Sequence, residues 1–299
     1  MSANHAPKDR CPSLAQGTCH TTRNLGRPTL RSRGNHPGVI LNISLLHATY
    51  FSTQSPVRHK ESWLAAAHDP SRVSYVFAME ENDETAAAET VGHTRAITSP
   101  TDDYSSAVQN WNAAAEKADG DLLFVISDDL NPFPGWDENL ESLCRSLDPL
   151  LVDFTVKIKD SPNHADTTLR HPIVSRKFFE SFGLFDSDFR GVYCDNDITM
   201  RAYLLSQILD GRELSFRHSH PHFERDVAES ASHKKINASR EYEKGASVFR
   251  RKYSPLHRGL NLNRLSLPTP TVRDTLKRGL RRFLFALLKP HGWKRLSAH

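Results

Sequence analysis

A chain of 299 residues, 38% apolar and with a formal net charge of +4, can bury one large α/β core or two small ones. Its basic residues crowd into 1–36 and 271–299, which leaves the middle net acidic and argues against a general nucleic-acid-binding surface. No run reaches the ~18–20 apolar residues of a membrane span, and Cys11, Cys19, Cys144 and Cys194 form no CxxC pair, so free thiols in a reducing cytoplasm are expected.

Residues 1–36 are rich in Pro, Gly, Ser, Thr, Arg and His without an apolar period, and are expected to be disordered. Cys11 and Cys19 with His20 lack the spacing of a zinc finger. Order begins at Val39–Leu46, an apolar run of strand length that ends in the polar turn His47-Ala48-Thr49-Tyr50. A helix is predicted over 56–68, then a second strand over Val73–Ala78 running into Glu80, Glu81, Asp83 and Glu84. Residues 105–118 predict a helix that Gly120 stops, and Asp121 opens a third strand, Leu122–Ile126, which ends in Ser127-Asp128-Asp129. Alternating strands and helices predict a parallel sheet covered by helices. Ligands of such sheets lie beyond the carboxyl ends of the strands, where these polar residues gather.

Beyond Trp136 the pattern predicts a helix over Asp137–Leu147 and a strand over Leu150–Ile158. A polar loop to 168, the segment His171–Glu180 and the apolar turn Phe182–Phe185 follow. Asp195-Asn196-Asp197 heads a helix over Ile198–Leu209, Leu214–His218 is a short strand, and 224–253 is a charged helical stretch. The segment Val272–Lys289 alternates basic and apolar residues at helical spacing, as in helices that lie on anionic membranes or dock on a partner; packing on its own domain is the other reading. There is no internal repeat.

Asp128 and Asp129 are the first candidates for chemistry. Hard divalent cations such as Mn2+ or Mg2+ take carboxylate oxygens and leave positions open for phosphate. Such an ion neutralises the charge of a diphosphate leaving group. Two Asp at a strand end can also simply cap the next turn. Asp195 and Asp197 start a helix and suit a general base, although an Asp there is commonly an N-cap. His218, His220 and His222 alternate after a short strand and would share a face, which also admits a zinc triad. Trp136 and Trp111 are aromatic surfaces for a sugar, with core packing the competing use of Trp111.

These residues form ordered motifs. Ala115-x-x-Ala118-x-Gly120-Asp121, the apolar run and Ser127-Asp128-Asp129-Leu130 resemble the A-x-G-[DE]-apolar-D-D signature of family 2 (GT-A fold) glycosyltransferases. Ile43–Tyr50 is similar to that family's first strand and nucleotide turn. Pro172–Arg176 with Phe182–Phe185, and Asp195-Asn196-Asp197-Ile198-x-x-Arg201-Ala202, resemble its later segments. The likeness spans roughly 40–255.

The resemblance implies an α/β, GT-A-like Rossmann-type sheet, mostly parallel and flanked by helices; the residue pattern beyond it adds a basic C-terminal helical extension. The domain layout is then a disordered tail at 1–36, expected from its composition, a glycosyltransferase domain over 37–260 (nucleotide-binding half 37–136, acceptor half 137–260) and a basic amphipathic extension at 261–299. The activity implied is metal-dependent inverting transfer from a nucleotide-sugar donor to a glycan or lipid-linked acceptor. Its setting would be cytoplasmic or peripheral at the inner face of the membrane. Ala48, Thr49, Tyr50, Glu80, Asp83, Asp128 and Trp136 would contact the donor, with Asp83 the weaker candidate beside Glu80. Asp129 would hold Mn2+ or Mg2+, with Asp128, His218 and His220 as further ligands. Asp195 would be the base, with Asp197 next, and Cys194 stands where the family has another acid. A sugar nucleotidyltransferase is the rival enzyme, but His47–Ser52 is not the glycine-rich basic loop it needs. A glycan-binding scaffold that has lost its chemistry is the non-enzymatic rival.

Overall fold

Apolar runs too short for helices become the middle of a sheet: β1 (Ile43–Ala48) pairs in parallel with β2 (Val73–Glu80) and with β4 (Leu122–Ser127). In this computed structural model the described residues are 40–52, 54–100, 106–221, 223, 224, 226 and 231–267, with isolated positions 279, 280 and 283. All of them fall in the unit Gly38–His299. The expected tail 1–36, His222 and nearly all of Val272–Lys289 lie outside the described residues.

Seven strands form one sheet in the order β3-β2-β1-β4-β7-β6-β8, where β3 is Arg95–Thr98, β6 Phe154–Lys159, β7 Ile173–Ser175 and β8 Gln207–Ser215. Only β7 runs against its neighbours, so the sheet is mostly parallel, as expected. A separate two-stranded ribbon pairs β5 (Leu130–Asn131) with β9 (Arg217–His218). Helices cover both faces. Leu45, Phe77, Phe124 and Ile126 pack with Trp63 of α1 (Pro56–Ala66), Ala86 of α2 (Glu84–Glu89) and Leu140 of α4 (Trp136–Cys144). Leu46, Val76, Leu123 and Val125 pack with Val108 and Ala114 of α3 (Ala107–Lys117), Phe178 of α5 (Arg176–Phe182) and Ile198 of α6 (Cys194–Leu205). Burial on both faces is why the strands read as unbroken apolar runs.

Gly120 and Asp121 have architectural work at the turn into β4. A Cβ at Gly120 would sit 2.6 Å from the Ser44 nitrogen and 2.7 Å from its hydroxyl, so only glycine lets this turn approach β1. Asp121 Oδ2 then accepts from the Asn42 main chain at 2.8 Å. Three boundaries differ from the sequence expectation. The strand expected from Leu150 begins at Phe154, since Leu150 and Leu151 lie in an exposed turn. The helix expected to run to Leu209 stops at Leu205, because Gln207 onward pairs with β6 and tertiary pairing overrides local preference. The charged stretch 224–253 divides into α7 (Ala231–Ile236) and α8 (Ser239–Lys252). The elements α2 and β3, of six and four residues, were too short to show a period. Among the described residues no helix is long and apolar enough to cross a membrane.

Candidate functional site

Three chain segments converge beyond the end of β4. The ribbon sets Leu130 opposite His218, which brings the imidazole of His218 against the neighbouring Asp129: Nε2 lies 3.2 Å from Asp129 Oδ2. The antiparallel approach of β7, with Val125 N bonded to Pro172 O at 3.1 Å, places His171 beside Ser127. His171 Nε2 is 2.9 Å from the Ser127 hydroxyl, which also lies 2.5 Å from Asp129 Oδ1. One ligand atom each from Asp129, His171 and His218 lies within 4.8 Å of the others. One carboxylate and two imidazoles on strand ends fit a divalent transition metal. Burial works against ionisation of Asp129, but its hydrogen bond to His218 and the positive charge around it hold the carboxyl well below the usual range. Burial would likewise lower His218, yet the bond to Asp129 and the negative charge of Asp129 raise it. His171 is lowered by burial.

Asp128 points to a different set of partners. His47, fully buried near the carboxyl end of β1, lies with Nε2 2.8 Å from Asp128 Oδ1, and the Thr49 hydroxyl donates to Oδ2 at 3.3 Å. A carboxylate only accepts, so His47 Nε2 carries the hydrogen and Nδ1 accepts from the Tyr75 hydroxyl at 2.8 Å. Ala48, Thr49, Tyr50, Trp111, Asp128 and Asp129 line one small cavity of about 130 Å³. Next to it opens a cleft of about 620 Å³ lined by Arg170, Asp195, His218, His220, Phe223 and Tyr242, among others. Asp129 lines the first and His218 the second, and these two side chains meet at 3.2 Å.

Asp195 stands in the first turn of α6, after Tyr193, a non-glycine residue at φ 70°. Strained backbone of this kind persists where surroundings over-determine it. Burial raises the Asp195 carboxyl above its ordinary range, against the charge of Arg170. A raised carboxyl that lines a cleft is a stronger base than an ordinary one.

Several expected site residues lie elsewhere, each for a visible reason. Asp197 is completely buried: Arg201 Nε donates to Oδ2 at 2.7 Å, Tyr253 OH to Oδ1 at 2.8 Å, and Lys252 Nζ lies 3.2 Å from Oδ1. It is a structural anion and has no face toward the cleft. Trp136 is also fully buried, edge-on to Trp63 and donating to the Trp63 carbonyl at 3.2 Å, so it has no surface for a sugar. Asp83 caps α2 through Ala86 N at 3.1 Å and accepts from Phe51 N at 2.7 Å, which uses both carboxylate oxygens. Glu80 is 1% exposed at the end of β2. Asp128 and His220 stay outside the cluster of Asp129, His171 and His218, with His220 lining the cleft. His171, which no motif singled out, completes that cluster. Its only trace in the sequence was a histidine before Pro172, and pairing across β4 and β7 is not readable from spacing.

No family model matches this chain, and no curated protein matches it. Solved structures match it at low identity and at TM-scores under 0.5. A mannosyltransferase from Pyrobaculum calidifontis, PcManGT in complex with GDP-Man and Mn2+, is 12% identical at a TM-score of 0.48, over 73% of this chain and 66% of that one. TarS 1-349 of S. aureus in complex with UDP is 14% identical at a TM-score of 0.47, over 68% of each chain. The same protein in complex with UDP-GlcNAc matches at 12% identity and a TM-score of 0.44, over 68% of this chain and 69% of that one. The chain thus spans about two thirds of the length of the structures it resembles.

Proposed function

We propose that this protein is a metal-dependent inverting glycosyltransferase, moving a sugar from a nucleotide-sugar donor to a hydroxyl of a glycan or lipid-linked acceptor. One observation carries the reading: a ligand triad stands between a small cavity at the strand ends and a larger cleft that holds a buried-shifted carboxylate. Ala48, Thr49, Tyr50 and Asp128 line the cavity and would hold the nucleoside, with Asp128 accepting from the ribose hydroxyls. Asp129, His171 and His218 would hold the metal. When bound, a divalent metal neutralises the diphosphate as it leaves. Asp195 takes the proton from the acceptor hydroxyl as that oxygen attacks the anomeric carbon from the side opposite the diphosphate, which inverts the centre. Arg170 balances the charge of Asp195 once the proton has moved on.

The test separates donor from acceptor chemistry. Asp129→Ala is expected to abolish metal-dependent binding of UDP or GDP, measured by calorimetry. Asp195→Asn is expected to leave that binding within about threefold while lowering transfer by about 10²–10⁴-fold. Unchanged metal-dependent nucleotide binding in Asp129→Ala would sink the assignment. Unchanged transfer in Asp195→Asn would remove the base.

A further inference from the structure

Asp160 touches both imidazoles of the triad, through two different groups. It follows β6, is 1% exposed, and its carboxylate is held by Lys157 Nζ at 2.6 Å. The carboxylate oxygen Oδ2 lies 3.1 Å from His171 Nδ1, and the main-chain carbonyl of the same residue lies 3.1 Å from His218 Nδ1. Oδ2 also accepts from the His171 main-chain nitrogen at 3.3 Å. An ion-paired carboxylate and a carbonyl can only accept hydrogen bonds. Each Nδ1 must therefore carry a hydrogen, and each Nε2 is left to face Ser127 and Asp129. A neutral imidazole with Nδ1 protonated presents a lone pair at Nε2. In His218 that atom lies 3.2 Å from Asp129 Oδ2, so the two would face one bound dication together.

We infer that Asp160 is the positioning residue of the metal centre, presetting both imidazoles as Nε2 ligands and so selecting a transition-metal dication over Mg2+. This rests on the reading of Asp129, His171 and His218 as that centre. Mg2+ demands oxygen ligands in an octahedron and holds its waters. Two imidazoles with one carboxylate instead suit the later first-row ions, with affinity rising from Mn2+ to Co2+. Removal of an outer partner that orients a metal-bound histidine costs about 10–100-fold in metal affinity.

The first arm of the test uses the full chain without substitution. Calorimetric titrations with Mg2+, Mn2+ and Co2+ are expected to rank Co2+ tightest and Mg2+ weakest, with Mn2+ at least about tenfold above Mg2+. Pulsed electron paramagnetic resonance of the Mn2+-loaded protein is expected to show coupling to two imidazole nitrogens. The second arm takes Asp160→Asn, which should weaken Co2+ by about 10–100-fold and disturb the coupling to the His171 nitrogen. Should that variant not fold, the pair Lys157→Met with Asp160→Asn removes both buried charges together and gives the same readout. Equal affinity for Mg2+ and Mn2+, no imidazole coupling, or unchanged Co2+ binding after removal of the Asp160 carboxylate would each overturn the inference. Any of these, with metal-dependent nucleotide binding intact, leaves the proposed transferase standing. No binding of any of the three metals, even with UDP or GDP present, would overturn both.

Discussion

At the scale of single residues, the side chain with the most leverage on the cavity beside Asp128 is His47, which does not line it. It is fixed between Tyr75 and Asp128, and His59 packs against it with ring centroids 4.9 Å apart. Burial, then the neighbouring His47, push the His59 pKa down to about 4, so this lower ring stays neutral near pH 7 and adds no charge beneath Asp128. A hydrogen bond to a charged group contributes about 1.5–3 kcal/mol, so His47→Ala is expected to raise the donor KM by roughly tenfold or more. His47→Gln, which keeps an amide N–H near the Nε2 position, is expected to recover most of this, with kcat little changed in both. Loss of ground-state binding alone has that signature. A fall in kcat with KM unchanged would mean that Asp128 acts in the chemical step. The sequence offered Asp128 and Asp129 as a pair, and the structure divides them: one bonds to His47 of β1, the other to His218 of the ribbon.

At the scale of elements, α6 shows why a motif can be found and still be misassigned. Two positions along a helix turn through about 200°. Asp195 and Asp197 therefore point almost oppositely, and no reading of the D-x-D string says which side is the cleft. The structure sends Asp195 to the cleft and Asp197 into the junction with α8, where Arg201, Lys252 and Tyr253 meet it. Arg201 goes on to donate to the Phe182 and Leu184 carbonyls, pinning the apolar turn that the sequence had marked. Breaking a buried pair from one side costs about 3–5 kcal/mol. Asp197→Asn is expected to destabilise by about that much at pH 7 in denaturant unfolding. Burial alone would raise the Asp197 carboxyl, but the Arg201 and Lys252 charges hold it below its ordinary value. Its contribution is therefore fully present above the unfolded-state pKa of about 3.9 and is lost as pH falls further. The gap between wild type and variant should stay constant from neutral pH to about 5 and narrow below about 4. A gap that widens on acidification would contradict the assignment.

At the scale of the whole molecule, the sheet order delivers the ends of β1 and β4 to one cavity and brings β6, β7 and the ribbon to the ligand triad. Because Asp129 belongs to both, a nucleoside diphosphate and a divalent metal should bind cooperatively. Ligand at 100 times its dissociation constant stabilises a fold by about 2.7 kcal/mol. Mn2+ and UDP or GDP together are expected to raise Tm by more than the sum of their separate shifts; strictly additive shifts would show that the two sites do not share a ligand. The central strands, the parallel sheet, the break at Gly120-Asp121 and the acidic strand ends were all readable in the chain, because apolar period and turn chemistry are local properties. Trp136 and Asp83 looked functional for equally local reasons, and only packing shows one in the core and the other capping a helix. His171 and Asp160 were legible in no motif. They lie 42 and 31 residues from Asp129, and they join it because β7 runs antiparallel beside β4 and β6, a pairing settled by the whole sheet.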